Sequence, residues 1–302
     1  MKNFKRRTRM ASSALCTRGT QVAIALCAVL FATGDLTALP FQSSGFVSTK
    51  LIGAFGNVTA QDVHFYDFLN EPAAIDVNNL EASSAATNFG SANARVAGTI
   101  GSLRTFATAS GFSAPIGTVE SRSQAEFFDT LIVSGNGLAA GTMVSYRVDF
   151  SISGGVTAPA DSAFGQSFAI GLASVRLQDR TSGERVLLNW DAATDAVGVF
   201  SLTLATEVGH ELRISGSSAS AAVVKIDPLT ALTATSDFFH TANYALVPSI
   251  AGLNTIGASG HNFLVTVPTR VPAPESWALL LLGLGLGLIA ICTRPQRQHS
   301  SP

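Results

Sequence analysis

Along the middle of the chain, large apolar residues recur at every second position. The plainest run is Val144, Tyr146, Val148, Phe150 and Ile152, separated by Ser145, Arg147, Asp149 and Ser151. Side chains alternate between the two faces of a strand, so this run predicts a strand with one wet face. Phe168, Ile170 and Leu172 alternate in the same way. The phase then slips near Ala173-Ser174 and resumes at Val175 and Leu177, which predicts a β-bulge. Arg180-Thr181-Ser182-Gly183 is turn chemistry and predicts a hairpin into residues 186–190. Phe200, Leu202 and Leu204 give another strand, Leu212 and Ile214 a second, Tyr244 and Leu246 a third. Residues 127–133 are apolar on both faces apart from Asp129 and Thr130, as in the middle of a sheet. Residues 78–94 are poor in large apolar side chains and predict a loop, with at most one helical turn over 80–86. Residues 39–270 hold no 3.6 period. The expected class is mainly β: a single antiparallel β-sandwich or jelly-roll-like domain.

Two segments outside this body are unbroken apolar runs. Residues 22–33 (VAIALCAVLFAT) follow the basic residues Lys2, Lys5, Arg6, Arg7, Arg9 and Arg18. A basic region ahead of a 12-residue apolar run is the form of a secretory signal peptide. The run falls short of the roughly 20 residues that span a bilayer. Residues 1–38 are therefore expected to be a signal peptide, cleaved near 34–38, after Gly34 or after Ala38. At the other end no charge occurs over the 18 residues 276–293. That length makes about 27 Å of helix, enough to cross a hydrocarbon core, and predicts one transmembrane helix. Arg294 and Arg297 in the tail 294–302 would stay on the cytoplasmic side.

The helix is led by Val271-Pro272-Ala273-Pro274-Glu275-Ser276-Trp277-Ala278, runs as LLLLGLGLGLIAIC, and ends in Thr293-Arg294-Pro295-Gln296-Arg297. This three-part ending, residues 271–302 with its motif at 271–275, resembles the PEP-CTERM sorting signal. Pro272 and Pro274 match the family's Pro-Glu-Pro, Ala273 stands in place of the usual Glu, and Glu275 follows one position later. The resemblance makes Val271, Pro272, Ala273, Pro274, Glu275 and Trp277 the sorting motif, with Arg294 and Arg297 as the basic tail. It implies export by the Sec machinery and then recognition by exosortase, a membrane transpeptidase-like enzyme. The compartments implied are the inner membrane of a Gram-negative bacterium for the precursor, then the cell surface or exopolysaccharide matrix. The phrases FFDTLIVSGNGLAAGTMVSYRVDFSISG and DFFHTANYALVP also resemble bodies of PEP-CTERM proteins. That likeness implies a secreted β-rich domain and carries no catalytic residue.

Charge changes the picture in one respect. The net charge of −1 divides into +5 over residues 1–38, −7 over 39–272 and +1 over 273–302. An acidic body repels a phosphate backbone, which excludes nucleic acid as its partner. It argues equally against simple electrostatic capture of acidic glycans. Cys16, Cys27 and Cys292 all lie in the terminal segments, so the body has neither disulfide nor thiol chemistry.

His64, His210, His240 and His261 show no HExxH or HxH spacing, and the body carries no GxSxG, P-loop or GxGxxG. No catalytic residue, no metal ligand set and no cofactor is predicted. A Ser-His-Asp triad assembled from distant residues is the arrangement that sequence leaves open. Asp62, Asp67 and Asp76-Val77-Asn78 could offer oxygens to calcium, without a DxDxDG loop. Trp190 and Tyr146 could stack on a sugar ring, although Trp190 closes the apolar run Val186-Leu187-Leu188 and reads rather as core. The expected function is a non-enzymatic, exported cell-surface or exopolysaccharide-matrix protein. The rivals are a secreted hydrolase of extracellular polymer and a permanently membrane-anchored periplasmic protein.

Overall fold

The computed structural model describes residues 40–53, 58–67, 76–86, 89–112, 116–159, 166–226 and 230–264. All of them belong to the first of two compact units, Met1–Val265 and Thr266–Pro302. They form strands and turns without a helix: β1 (Phe41–Gly53), β2 (Val58–Asp67), β3 (Asp76–Ala86), β4 (Gly90–Thr99), β5 (Ser102–Gly111), β6 (Gly117–Ile132), β7 (Met143–Thr157), β8 (Phe168–Asp179), β9 (Arg185–Asp191), β10 (Gly198–Glu207), β11 (Glu211–Lys225) and β12 (Leu232–Pro248). One sheet runs β2-β1-β6-β11-β8-β9 and the other β10-β7-β12-β5-β4-β3. Every neighbouring pair is antiparallel. The mainly β, antiparallel class expected from the alternation is the class observed.

The expected strands at 144–152, 200–204, 212–214 and 244–246 lie in β7, β10, β11 and β12. Phe127 and its neighbours lie in β6, bonded to β1 on one side and β11 on the other. The hairpin between β8 and β9 also forms. Its turn follows from Asp179, whose Oδ1 accepts the N–H groups of Thr181 and Ser182 at 2.9 Å each. Gly183 closes the turn at φ 84°, a conformation that a side chain would oppose.

Two expectations are corrected. Residues 78–94 are no loop: β3 and β4 pair through most of them, from Leu80↔Val96 to Ala86↔Gly90. Their Ala and Ser side chains have weak strand propensity, yet Ala82, Ser84, Ala92 and Ala94 are buried by the facing sheet. Tertiary pairing decides the strand where local preference does not. The bulge near Ala173-Ser174 is also absent. β8 keeps an unbroken register with β11 from Asp179 to Phe168 and with β9 from Gln178 to Leu172. The apolar residues change face instead. Ala173, Val175 and Leu177 point into the core, whereas Phe168, Ile170 and Leu172 register on the outer face opposite Val223, Ala221 and Ala219. At the changeover Gly171 lies under the Phe238 ring, where a Cβ would come within 2.0 Å of a ring carbon.

The core between the sheets is two apolar clusters. The larger contains Tyr146, Phe150, Phe238, Leu177 and Ile214, and the smaller Leu51, Phe89, Val119, Val224 and Ile226. A belt of buried hydroxyls divides them, with Thr49, Ser84, Thr105, Ser121, Ser123, Ser218, Ser220 and Ser236 each between apolar residues of its own strand. The belt satisfies most of its own polarity, as burial requires. Thr49 and Ser84 share a bond of 2.7 Å, Thr105 and Ser218 one of 2.9 Å, and Ser220 donates to Thr105 at 2.9 Å.

Candidate functional site

The sorting motif Val271, Pro272, Ala273, Pro274, Glu275 and Trp277, the basic tail residues Arg294 and Arg297, and the 1–38 segment all lie outside the described residues. Among the described residues no helix is long and apolar enough to cross a membrane. Trp190 and Tyr146 offer no ring face to a sugar. Trp190 is 2% exposed, donates from Nε1 to Ala196 O at 2.9 Å and packs edge-on against Phe238. Tyr146 is fully buried, and its hydroxyl donates to Asn254 O at 2.7 Å. Burial pushes its pKa up to about 12. The oxygens of Asp62 are engaged by protein, Oδ1 by His64 at 3.0 Å and Oδ2 by the Ser83 N–H at 3.0 Å. Among the described residues, no three His, Cys, Asp or Glu side chains group as a metal would need.

Two acids make the strongest polar clusters. Asp179, at the end of β8, is 1% exposed. Its Oδ2 accepts from Thr206 Oγ1 at 2.6 Å and meets His210 Nδ1 at 2.7 Å. Burial raises the carboxyl's pKa, but these two groups and the Thr181 and Ser182 N–H donors outweigh it and hold the pKa at about 2. An acid on Nδ1 is how a catalytic His is oriented. Here, however, the Thr206 hydroxyl goes to the acid, and His210 Nε2 faces Glu207 at 3.7 Å, with no nucleophile between. The cluster ties the β8–β9 turn to the β10–β11 hairpin. Asp129, in β6, is fully buried and takes Ser259 Oγ at 2.5 Å and the Thr130 N–H at 2.8 Å. Its serine bonds the acid directly, without an imidazole relay. Burial holds the Asp129 pKa above the usual carboxylate range despite these bonds. Neither cluster assembles the Ser-His-Asp order.

The site that sequence reading missed is on the outer face of the first sheet. A cavity of ≈ 340 Å³ opens over β2, β1 and β6. Its walls are Phe46, Ser48 and Lys50 from β1, Gln61 from β2, and Glu120, Arg122 and Gln124 from β6, with Thr49 and Ser123 completing the lining. Register explains the grouping: Lys50 pairs with both Gln61 and Glu120, Ser48 with Arg122, and Phe46 with Gln124. Paired residues of neighbouring strands share a face. Arg122 reaches Glu120 at 3.4 Å along its own strand. The arrangement is one aromatic ring among amide, hydroxyl and charged groups of both donor and acceptor type. Beyond it the same face continues into the small side chains Ala219 and Ala221 and the apolar Ile170 and Leu172.

No protein-family model matches the chain, and no curated protein matches it. A structural comparison finds the crystal structure of the bacteriophage CBA120 tailspike protein 4 enzymatically active domain, at 13% identity and a TM-score of 0.18. The match takes in 58% of this chain and 20% of that one, a likeness too slight to carry an argument.

Proposed function

We propose that the protein is an exported, non-enzymatic component of the cell surface or exopolysaccharide matrix, which holds polysaccharide on the outer face of its first sheet. The observation that carries this reading is the cavity around Phe46. A pyranose offers an apolar ring face and a fringe of hydroxyls, and the cavity offers a ring beside Ser48, Gln61, Gln124 and Arg122. Glu120 is the one carboxylate among the lining residues, and it lies against Arg122. Glycoside hydrolysis ordinarily needs two carboxyl groups flanking the bond, so the lining suits retention better than cleavage.

The strand order supports a finer description of the body. β6-β11-β8-β9 faces β5-β12-β7-β10, with consecutive strands from β5 to β12 alternating between sheets except at the β8–β9 hairpin, which is the order of a jelly-roll sandwich, and β1–β2 and β3–β4 widen it. Export through residues 1–38 and sorting by exosortase through residues 271–302 complete the proposal, with the membrane engaged by the 276–293 helix until processing. The test is co-sedimentation of the purified full chain with the host's matrix, alongside cell fractionation of a chain lacking residues 271–302. Retention without release of oligosaccharide, and loss of membrane association on truncation, are expected. Steady production of shortened chains would make it a hydrolase, and a truncated chain still integral to the membrane would overturn the sorting half.

A further inference from the structure

We infer that the ligand of this face is an acidic polysaccharide, its carboxylates met by Lys50 and Arg122 while its rings lie over Phe46. The inference rests on the glycan reading above and names the class of glycan. Its basis is how charge is distributed. The segment 39–272 carries −7 in all, and that total made acidic ligands look excluded. Register places six basic residues, Lys50, Arg122, Arg176, Arg185, Arg213 and Lys225, on the outer face of the first sheet. Among the described side chains there, the acids are Glu120, Glu126, Asp191 and Glu211, two fewer than the bases. The face is positive on an acidic body, and fields follow local distribution rather than the net total.

Like charges also meet on this face. Burial, and then the neighbouring Arg185 guanidinium, disfavour the charged form of Arg176. The interspersed acids select among polyanions. Closely spaced phosphates of a nucleic acid would meet Glu120 and Glu126, whereas a polyuronate brings hydroxyls for Ser48, Gln61 and Gln124 between its charges.

The experiment is affinity electrophoresis of the full chain in detergent micelles through gels holding polygalacturonate, its methyl-esterified form, dextran or duplex DNA. Esterification removes the charge and leaves the backbone, so it isolates the carboxylate contribution. Polygalacturonate should retard the protein most, and salt should weaken the effect by screening. Lys50→Glu combined with Arg122→Glu should weaken retention about tenfold. Arg104→Glu, exposed on the other sheet, should leave it unchanged, and matching circular dichroism controls for folding. Equal retention by the esterified chain, stronger retention by DNA, or indifference to the double charge reversal would overturn the inference. Preference for neutral glycan, lost in Phe46→Ala, would sink the acidic class and keep the glycan reading. Retention by no polysaccharide would remove both.

Discussion

Asp179 and Asp129 are both buried acids, and their surroundings set opposite consequences for pH. Asp179 is held at a pKa of about 2, below its unfolded value, by Thr206, His210 and two backbone donors. A depressed carboxylate contributes stability above its unfolded pKa and loses it as pH falls through the folded value. Urea denaturation should therefore show stability draining away between about pH 4 and pH 2. Asp179→Asn should cost about 2 kcal/mol at neutral pH and flatten that decline. For Asp129, burial outweighs the donors and the pKa is raised. A raised group favours the fold below its unfolded pKa, and that contribution disappears as pH rises through the folded value. Asp129→Asn keeps the volume without the charge, so its stability relative to the parent should improve from pH 4 to pH 7. A parallel pH profile for parent and variant would show that the acid is not ionised against a penalty.

Within the elements, glycines decide how closely the sheets approach. Gly216 of β11 lies beneath Tyr244 and Phe127, whose rings meet edge-on at 4.9 Å. Tyr244 stacks in turn on Phe150 at 5.1 Å, which extends an aromatic chain through the core. Gly171 of β8 makes the same kind of room under Phe238. Gly171→Val should overpack that contact and cost about 2 kcal/mol or more in thermal or urea unfolding. Gly155 of β7 meets nothing within 4 Å, so Gly155→Ala is the contrasting case and should change stability by less than about 1 kcal/mol. β8 also shows why period alone misleads. A regular strand whose large residues move from one face to the other has the same spacing signature as a bulge. Only its partners β11 and β9, both in unbroken register, distinguish the two.

At the scale of the whole molecule, the hydroxyl belt is the feature least expected from a core. A polar layer between two apolar clusters is costly wherever a member is left unsatisfied, as Ser123 Oγ is here, because an orphaned buried hydroxyl is costlier than none. Thr105→Val strips a partner from both Ser218 and Ser220 and should destabilise by about 1–3 kcal/mol. Adding Ser218→Ala and Ser220→Ala should recover part of that loss rather than deepen it. Unfolding of the single and triple variants by urea decides the matter. If the losses add, the hydroxyls act independently and the belt is not a unit.

Strands β7, β10, β11 and β12 were legible because each alternates bulky apolar with polar side chains, a contrast set by local covalent geometry. The antiparallel class followed from that contrast and from the turn residues, of which Arg180-Thr181-Ser182-Gly183 is the clearest run. β3 and β4 were not legible, since Ser, Ala and Gly carry little contrast and become a strand only when partners supply the burial. The belt was hidden for the same reason: alternation assigns serine to solvent, and only the facing sheet turns Ser121, Ser218 and Ser236 into interior residues. The candidate site was out of reach as well. Phe46 and Lys50 are separated from Arg122 and Gln124 by more than 70 positions, and no local rule relates them. The β1–β6 register relates them, and with it the sign of the charge on that face. Sequence by itself determined the strand chemistry and the total charge, because both are sums over local residues. Tertiary structure alone decided which residues share a surface, because that depends on long-range pairing.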